Sequence, residues 1–228
     1  MANIRVAIDG PAGAGKSTVS REVARLLGYV YLDSGAMYRA VAYAAITRGV
    51  SLNDADALTS LANYVHISFS QDVPPAVYLD GVDVSSKIRT PELGTAASMV
   101  SQVSGVRVAM VKQQQSLGES DNIVMEGRDI GTVVFPDAEV KIYLTATVGE
   151  RARRRAGELE AAGQCVDISD IERQIAERDY RDMNRDDSPL RVADGAWELI
   201  TDGLAINDVV SLIVDRVTAF THSALPRE

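Results

Sequence analysis

Cysteine, histidine and long apolar runs are scarce in this sequence, and each scarcity excludes a class of protein. The one cysteine, Cys165, cannot form an internal disulfide, and with two histidines a metal centre built on His and Cys is disfavoured. No apolar run approaches the roughly 18 residues of a membrane span, and no charged and then apolar leader precedes the first predicted strand. We therefore expect a cytoplasmic protein with no membrane partner.

Positive charge is also scarce. The formal net charge of −9 disfavours a nucleic-acid partner, because nonspecific binding relies on a broad basic surface. Lysine occurs only at Lys16, Lys87, Lys112 and Lys141, so that arginine carries most of the positive charge. The planar arginine fork binds phosphate bidentately, which makes the placement of the arginines informative. A length of 228 residues and a hydrophobic content of 46% suit one large α/β domain with a small insert.

A glycine loop follows the first apolar strand and matches the phosphate-loop pattern GxxxxGK[ST] at every fixed position. Its glycines let successive backbone N–H groups point at phosphates, and the helix that begins near Lys16 adds its positive end. We expect Lys16 to reach the outer phosphates of ATP and Ser17 to hold Mg2+. The predicted nucleotide-binding positions of the loop are Gly10, Pro11, Ala12, Gly13, Ala14, Gly15, Lys16, Ser17 and Thr18.

Hydrophobic periodicity predicts an alternation of strands and helices that is typical of a parallel sheet. Strands are predicted at about 4–9, 29–32, 122–125, 140–144 and 197–200. Helices are predicted at about 16–27, 34–49, 91–101, 106–118, 148–162, 169–185 and 207–220, with Ser34 capping the second and a Ser169/Glu172 capping box opening the sixth. Alternation over 66–69 and an Asp80-Gly81 hairpin within 77–84 predict an antiparallel insert.

Polar residues that follow the predicted strands are candidates for a ligand site, since ligands of open parallel sheets bind beyond the strands' carboxyl ends. Asp33 to Arg39 follows the second strand, and Glu126 to Gly131 follows the third. On the predicted 169–185 helix, arginines are spaced so that they share one face with an acid. These residues are Arg178, Arg181, Asp182 and Arg185.

This collection of side chains favours a phosphate acceptor over a hydroxyl acceptor. A kinase that acts on an alcohol needs a positioned base, whereas a phosphate monoester has a second pKa near 6 and is already ionised at neutral pH. Phosphoryl transfer between two anions instead needs cations that neutralise both. The abundance of arginines and the scarcity of histidines fit the second case.

Five segments of the chain match a known set of motifs in order. They are IDGPAGAGKST (Ile8–Thr18), LDSGAMYR (Leu32–Arg39), KIRTPE (Lys87–Glu92), EGRDIGTVVFPDAEVKIYL (Glu126–Leu144) and ERDYRDMNRDDSPL (Glu177–Leu190). With them the chain resembles the bacterial-type cytidylate kinases, which are nucleoside monophosphate kinases. The resemblance implies an α/β P-loop NTPase fold, with a five-stranded parallel sheet flanked by helices. It also implies an antiparallel β/helical monophosphate-binding insert over 63–118 and a helical lid over 148–187, the core being 1–62, 119–147 and 188–228.

The resemblance implies a role for each matching position. The positions that match the family's acceptor-phosphate ligands are Ser34, Arg39, Arg128 and Arg185. Those that match its cytosine-reading residues are Ser98, Arg107 and Asp129. Those that match its sugar ligands are Arg178 and Asp182. Catalysis is expected from Lys16, Arg128, Arg178 and Arg185, and the lid arginines expected to close over the donor are Arg151, Arg154, Arg178 and Arg181.

The expected reaction is direct in-line transfer of the ATP γ-phosphoryl group to CMP or dCMP by a monomer, with Mg2+ and without a general base. Two other interpretations remain open. Another P-loop kinase, such as a shikimate or thymidylate kinase, would share the loop but take a different acceptor. A nucleotide-sensing switch would be expected to carry an NKxD motif, and the nearest string, Asn184 to Asp187, lacks the lysine.

Overall fold

The computed structural model describes residues 3–70, 72, 74–119, 121–161 and 163–224. Its strands are β1 (Arg5–Asp9), β2 (Val30–Asp33), β3 (Ile67–Phe69), β4 (Val77–Leu79), β5 (Val82–Asp83), β6 (Ile123–Gly127), β7 (Val140–Thr145) and β8 (Trp197–Ile200). Its helices are α1 (Lys16–Leu27), α2 (Ser34–Thr47), α3 (Ala55–Tyr64), α4 (Pro91–Val100), α5 (Ser104–Leu117), α6 (Val148–Ala161), α7 (Ile168–Met183) and α8 (Ile206–Ala224). A short π-helical turn spans Ile130–Val134.

The central sheet is parallel and has the strand order β2-β6-β1-β7-β8. Its register sets Asp9 opposite Gly127 and Asp33 opposite Glu126, so the polar residues that end β1, β2 and β6 lie side by side. Helices cover both faces, and apolar side chains of α1 and α8 pack on one of them. The predicted five-stranded α/β fold is therefore confirmed.

A second, antiparallel sheet with the order β3-β4-β5 lies where the sequence predicts antiparallel strands. The predicted hairpin turn is present: Asp80 and Gly81 have φ of 50° and 81°, the positive values that a tight two-residue turn between twisted strands requires. Helices α2 to α5 and the small sheet share one apolar core. Helix α3, which packs against α5, was not predicted from the sequence.

Two predicted helix caps are wrong in detail. The N-cap of α2 is Asp33, whose carboxylate accepts from the N–H of Ala36, while Ser34 is the first helical residue. The N-cap of α7 is Asp167, which accepts from the N–H and the hydroxyl of Ser169. An aspartate one or two residues upstream takes the cap in both cases, because its carboxylate reaches the free N–H groups first. Ala162, where the fifth predicted helix ends, lies outside the described residues.

Within the part of the chain that the structure describes, none of the helices is both long and apolar enough to cross a membrane. The two longest helices, α7 and α8, instead alternate buried and exposed positions.

Candidate active site

A cleft of about 700 Å³ opens at the carboxyl ends of the central strands. The phosphate loop forms one wall, and residues after β2 and β6, on the insert and on α7 form the other. Most of the residues that the sequence nominates line this cleft. They are Ala12, Gly13, Ala14, Gly15, Lys16, Ser17, Thr18, Ser34, Arg39, Ser98, Arg107, Arg128, Asp129, Arg154, Arg178, Asp182 and Arg185.

Gly10 and Pro11 are absent from the cleft wall and instead turn the chain into the loop. A side chain at Gly10 would place its Cβ only 2.0 Å from the backbone oxygen of Leu144, and the φ of Gly10 is 151°. The backbone oxygen of Pro11 accepts a hydrogen bond of 2.7 Å from Nζ of Lys16. Helix α1 begins at Lys16, so its free N-terminal N–H groups belong to the cleft.

Lys16 is buried beside other cations. Burial, together with the nearby Arg128, lowers its pKa from 10.5 to about 7. An anion that bound there would restore the charged form, since an opposite charge within a few ångströms favours it. The lysine is thus poised for a ligand of high negative charge.

Arg151 lies under the phosphate loop, which differs from its predicted role as a lid arginine over the donor. It is buried, pairs with Asp179 at 2.6 Å, and donates to the backbone oxygens of Ala12 and Ala146 at 2.8 and 2.9 Å. Asp179 also accepts from the N–H of Ala12 at 3.4 Å. This pair joins α6 and α7 to the loop, so Arg151 supports the loop backbone.

Acids of the same chain pair with the arginines across the cleft. Nε of Arg128 donates to Asp182 at 2.8 Å, and Arg39 pairs with Asp33 at 2.6 Å. A third pair joins Arg107 to Asp129, and both residues are buried. The predicted acceptor site is therefore internally neutralised in part.

Donor atoms nevertheless remain unused in this wall. Among the described residues, the buried Nε atoms of Arg39, Arg107, Arg178 and Arg185 have no hydrogen-bond acceptor. Burial and the neighbouring guanidinium of Arg128 lower the pKa of Arg178, and burial and Arg107 lower that of Arg185. Buried donors without partners cost about 1–3 kcal/mol each, more when charged. An anionic ligand would satisfy these groups.

A sequence model of the family described as cytidylate kinase matches residues 6–219. That range contains the whole cleft.

The chain belongs to the cytidylate kinase family.

Relatives and solved structures agree with this membership. The chain is 53% identical over 215 residues to the bifunctional pantoate ligase/cytidylate kinase of Trichormus variabilis, and 50% identical over 212 residues to that of Synechococcus sp. strain RCC307. Each alignment covers 92% of this chain but only 40% and 41% of the relative, so the chain spans about two fifths of their length. A gluconokinase from Sinorhizobium meliloti shares the fold, with a TM-score of 0.51, 11% identity and coverage of 97% and 98%.

The cleft of this cytidylate kinase-family chain also contains an aromatic side chain that was not among the predicted site residues. Tyr38, within LDSGAMYR, lines the cleft with its ring centroid 5.5 Å from the guanidinium carbon of Arg107, and burial raises its pKa to about 12.

Arg181, which was predicted to close over the donor, is exposed, donates to the backbone oxygen of Glu177 and lies away from the cleft wall. The helical spacing placed Arg181 on the right element, but α7 turns a different face to the cleft.

Oxygen groups surround the predicted metal ligand Ser17. The phenol of Tyr31 donates to Glu126, and Glu126 and Asp33 approach closely enough that burial and the charge of Asp33 raise the pKa of Glu126. Ser34 donates to the backbone oxygen of Glu126 at 2.6 Å. In the described ranges there is no group of three or more His, Cys, Asp or Glu side chains that could hold a metal by itself. These hard oxygen donors suit Mg2+ shared with phosphates.

The loop after β8 closes the far end of the cleft. Arg154 donates to the hydroxyl and the backbone oxygen of Thr201 at 3.0 and 2.6 Å, which ties α6 to this loop. Leu204, Ile206 and Val209 add apolar surface to the same cleft. The arrangement offers a planar cation and aliphatic groups at the end of the phosphate loop.

Proposed function

We propose that this chain transfers the γ-phosphoryl group of ATP to CMP and dCMP, giving ADP with CDP or dCDP. The observation that carries the proposal is the pairing, within one cleft, of a phosphate loop with buried arginine donors that have no acceptor among the described residues. Membership of the cytidylate kinase family supports the same acceptor.

The donor side of the proposal rests on the phosphate loop. Backbone N–H groups of Gly13 to Thr18 and the start of α1 would bind the ATP phosphates, and Lys16 would stabilise the transferred group. Mg2+, held by the Ser17 hydroxyl and phosphate oxygens, would supply charge neutralisation between the donor phosphates. The acidic groups of Asp33 and Glu126 nearby suit waters on such an ion.

The acceptor side needs positive charge and no general base. The phosphate of CMP has a second pKa near 6, so the attacking oxygen is ionised at neutral pH. Ser34, Arg39, Arg128 and Arg185 would hold that phosphate in line with the donor, which supplies the orientation that dominates catalysis of this kind. Binding would satisfy the free Nε atoms of Arg39 and Arg185.

We assign base selection to the buried pair of Arg107 and Asp129 and to Ser98, which lines the same cleft. Asp129 can accept from the exocyclic amino group of cytosine, whereas uracil presents an oxygen there. Arg107 and Ser98 can serve the N3 and O2 edge of the base. Arg178 and Asp182 would bind the sugar. Buried polar groups discriminate well, because the wrong ligand leaves them without partners.

Lid closure and domain division remain part of the proposal. We assign 1–62, 119–147 and 188–228 to the core, 63–118 to the monophosphate-binding insert and 148–187 to the lid. In the lid, Arg154 and Arg178 would close over the donor and exclude water. We further propose a cytoplasmic monomer, with no nucleic-acid or membrane partner.

A coupled assay that detects ADP, run against a panel of nucleoside monophosphates and shikimate, tests the function. We expect CMP and dCMP to react at least about tenfold faster than UMP or AMP, because one buried polar mismatch costs about 1–3 kcal/mol. Equal turnover of CMP, UMP and AMP would refute the base assignment. Turnover of shikimate alone would refute the nucleotide acceptor.

A further inference from the structure

Asp9 is a buried acid at the end of β1 that none of the roles proposed above uses. Its backbone pairs with Gly127 of β6 on one side and Tyr143 of β7 on the other. The next residue is Gly10, which is locked against the backbone oxygen of Leu144. The Asp9 backbone is therefore fixed in the middle of the sheet, directly before the phosphate loop.

The side chain of Asp9 reaches across to the acceptor loop. Its two carboxylate oxygens accept from the N–H groups of Ile130 and Gly131 at 2.8 and 2.7 Å, and the residue is 4% exposed. A Cβ on Gly131 would lie 3.4 Å from Oδ2 of Asp9, an ordinary contact, but 3.2 and 3.3 Å from side-chain carbons of Lys141 and Ala193, so Gly131 is closely packed. Burial raises the pKa of Asp9 to about 6, which leaves the carboxylate ionised, and able to accept both bonds, at neutral pH.

These two bonds fix one end of the segment that carries Arg128 and Asp129. The other end, Gly127, is fixed by the pairing of β6 with β1. Between the two ends Asp129 adopts φ −147° and ψ 22°, outside regular structure, and its carbonyl accepts from the N–H groups of Val133 and Val134 at the end of the π-helical turn. The directions of the Arg128 and Asp129 side chains therefore depend on the positions in which the two ends of this segment are held.

We infer that Asp9 is a positioning residue that sets Arg128 and Asp129 relative to the phosphate loop and so aligns the acceptor with the donor. The inference rests on the proposed function, since it assigns Asp9 to the acceptor side of that reaction. Asp9 thereby links the two halves of the cleft, because its backbone precedes the phosphate loop and its carboxylate holds the segment that follows β6.

Asp9→Asn tests this link. An amide has one acceptor oxygen, and its NH2 group would face an N–H that has lost its partner. A displacement near 1 Å at the reacting groups costs about 100-fold in rate. We therefore expect kcat/KM for CMP to fall about 100-fold and the preference for CMP over UMP to shrink, while the Kd of ADP changes less than about threefold, because Gly10 is fixed independently by Leu144.

Glu139→Gln is the matched control. Glu139 is also a carboxylate that accepts a backbone N–H across strands, from Arg5 at 2.8 Å, but it lies at the opposite end of the sheet. The Glu139→Gln variant should leave kcat, KM and the preference for CMP over UMP unchanged. Gly131→Ala serves if Asp9→Asn does not fold: its methyl group would lie 3.2 and 3.3 Å from Lys141 and Ala193, so that the backbone carrying the Gly131 N–H has to shift. We expect the same selective loss, of smaller size.

The results separate this inference from the function itself. Failure of the wild-type chain to phosphorylate CMP would refute the function; a crystal structure of ligand-free Asp9→Asn would then decide the inference, with a shift of about 1 Å in Arg128 and Asp129 expected. Unmoved side chains, a variant that loses only thermal stability, or an equal loss of ADP binding would each overturn the positioning role.

Discussion

Lys16 should take up a proton when a triphosphate binds to the phosphate loop. In the ligand-free protein, burial and the adjacent Arg128 hold its pKa at about 7. Phosphates that contact Nζ would raise that pKa towards 10 or above, because they supply the opposite charge that the site lacks. Binding and protonation are therefore linked.

The size of the linkage follows from the pKa. With a free-state pKa of about 7, roughly 90% of Lys16 is neutral at pH 8 and roughly 10% at pH 6, so uptake at pH 8 should approach 0.9 proton per site. Between pH 7.5 and 9 the Kd should weaken about 20-fold, since the charged form becomes rare. Any slope from the ligand's own phosphates is the same for every variant, so a comparison with Lys16→Met isolates the contribution of Lys16.

Isothermal titration calorimetry with a non-hydrolysable ATP analogue, in buffers of different ionisation enthalpy, measures this uptake directly. Lys16→Met is the control, because it keeps the aliphatic stem and removes the titrating group; its Kd should be weaker and should show only the pH dependence of the ligand itself from pH 7.5 to 9. Uptake below about 0.2 proton at pH 8 in the wild-type chain would refute the prediction, because it would contradict a Lys16 pKa near 7 that rises when the ligand binds.

Three further substitutions have distinct expected outcomes. Arg128→Ala should lower turnover of CMP by two or more orders of magnitude with ADP binding nearly unchanged by calorimetry, and a parallel loss of both would contradict its place on the acceptor side. Asp129→Ala should reduce the CMP-to-UMP ratio of kcat/KM about tenfold or more; full retention of that ratio would end its base-reading role. Arg151→Met should cost about 3–5 kcal/mol in urea unfolding because it leaves Asp179 buried without its partner. Arg151→Met with Asp179→Leu should cost less than Arg151→Met alone, although backbone groups of Ala12 and Ala146 still lose their partners; equal losses would argue against the pair.

The sheet, the phosphate loop and the hairpin could be predicted because each depends on local pattern. Apolar strands, a loop that matches a fixed motif and an Asp-Gly turn are all encoded within a few residues. Helix α3 was missed although its signals are present: Asp54 caps it, and Leu58, Leu61 and Ala62 have helical spacing and are buried. The helix has only ten residues, and three buried apolar positions are too few for periodicity alone to indicate a helix between α2 and the antiparallel strands.

The role of Arg151 could not be predicted from the sequence. Arg151, Arg153, Arg154 and Arg155 stand almost consecutively on α6, and local pattern treats them alike. Docking of α6 against α7 and the loop buries Arg151 in an ion pair, directs Arg154 to Thr201, and leaves Arg153 and Arg155 paired with acids on the surface. Only tertiary packing separates these outcomes.

Internal ion pairs reconcile a dense arginine cluster with an acidic chain and bear on how the cleft would select its ligand. A neutral or singly charged molecule offers Arg128 less than the carboxylate of Asp182 that it already contacts at 2.8 Å. A phosphate dianion can outcompete that acid, because charge-assisted bidentate bonds to arginine are stronger. If Arg128 turned to the phosphate, as proposed, Asp182 would lose its partner and could accept hydrogen bonds from a sugar. The observed pair of Arg128 and Asp182 is thus compatible with the separate roles proposed for the two residues.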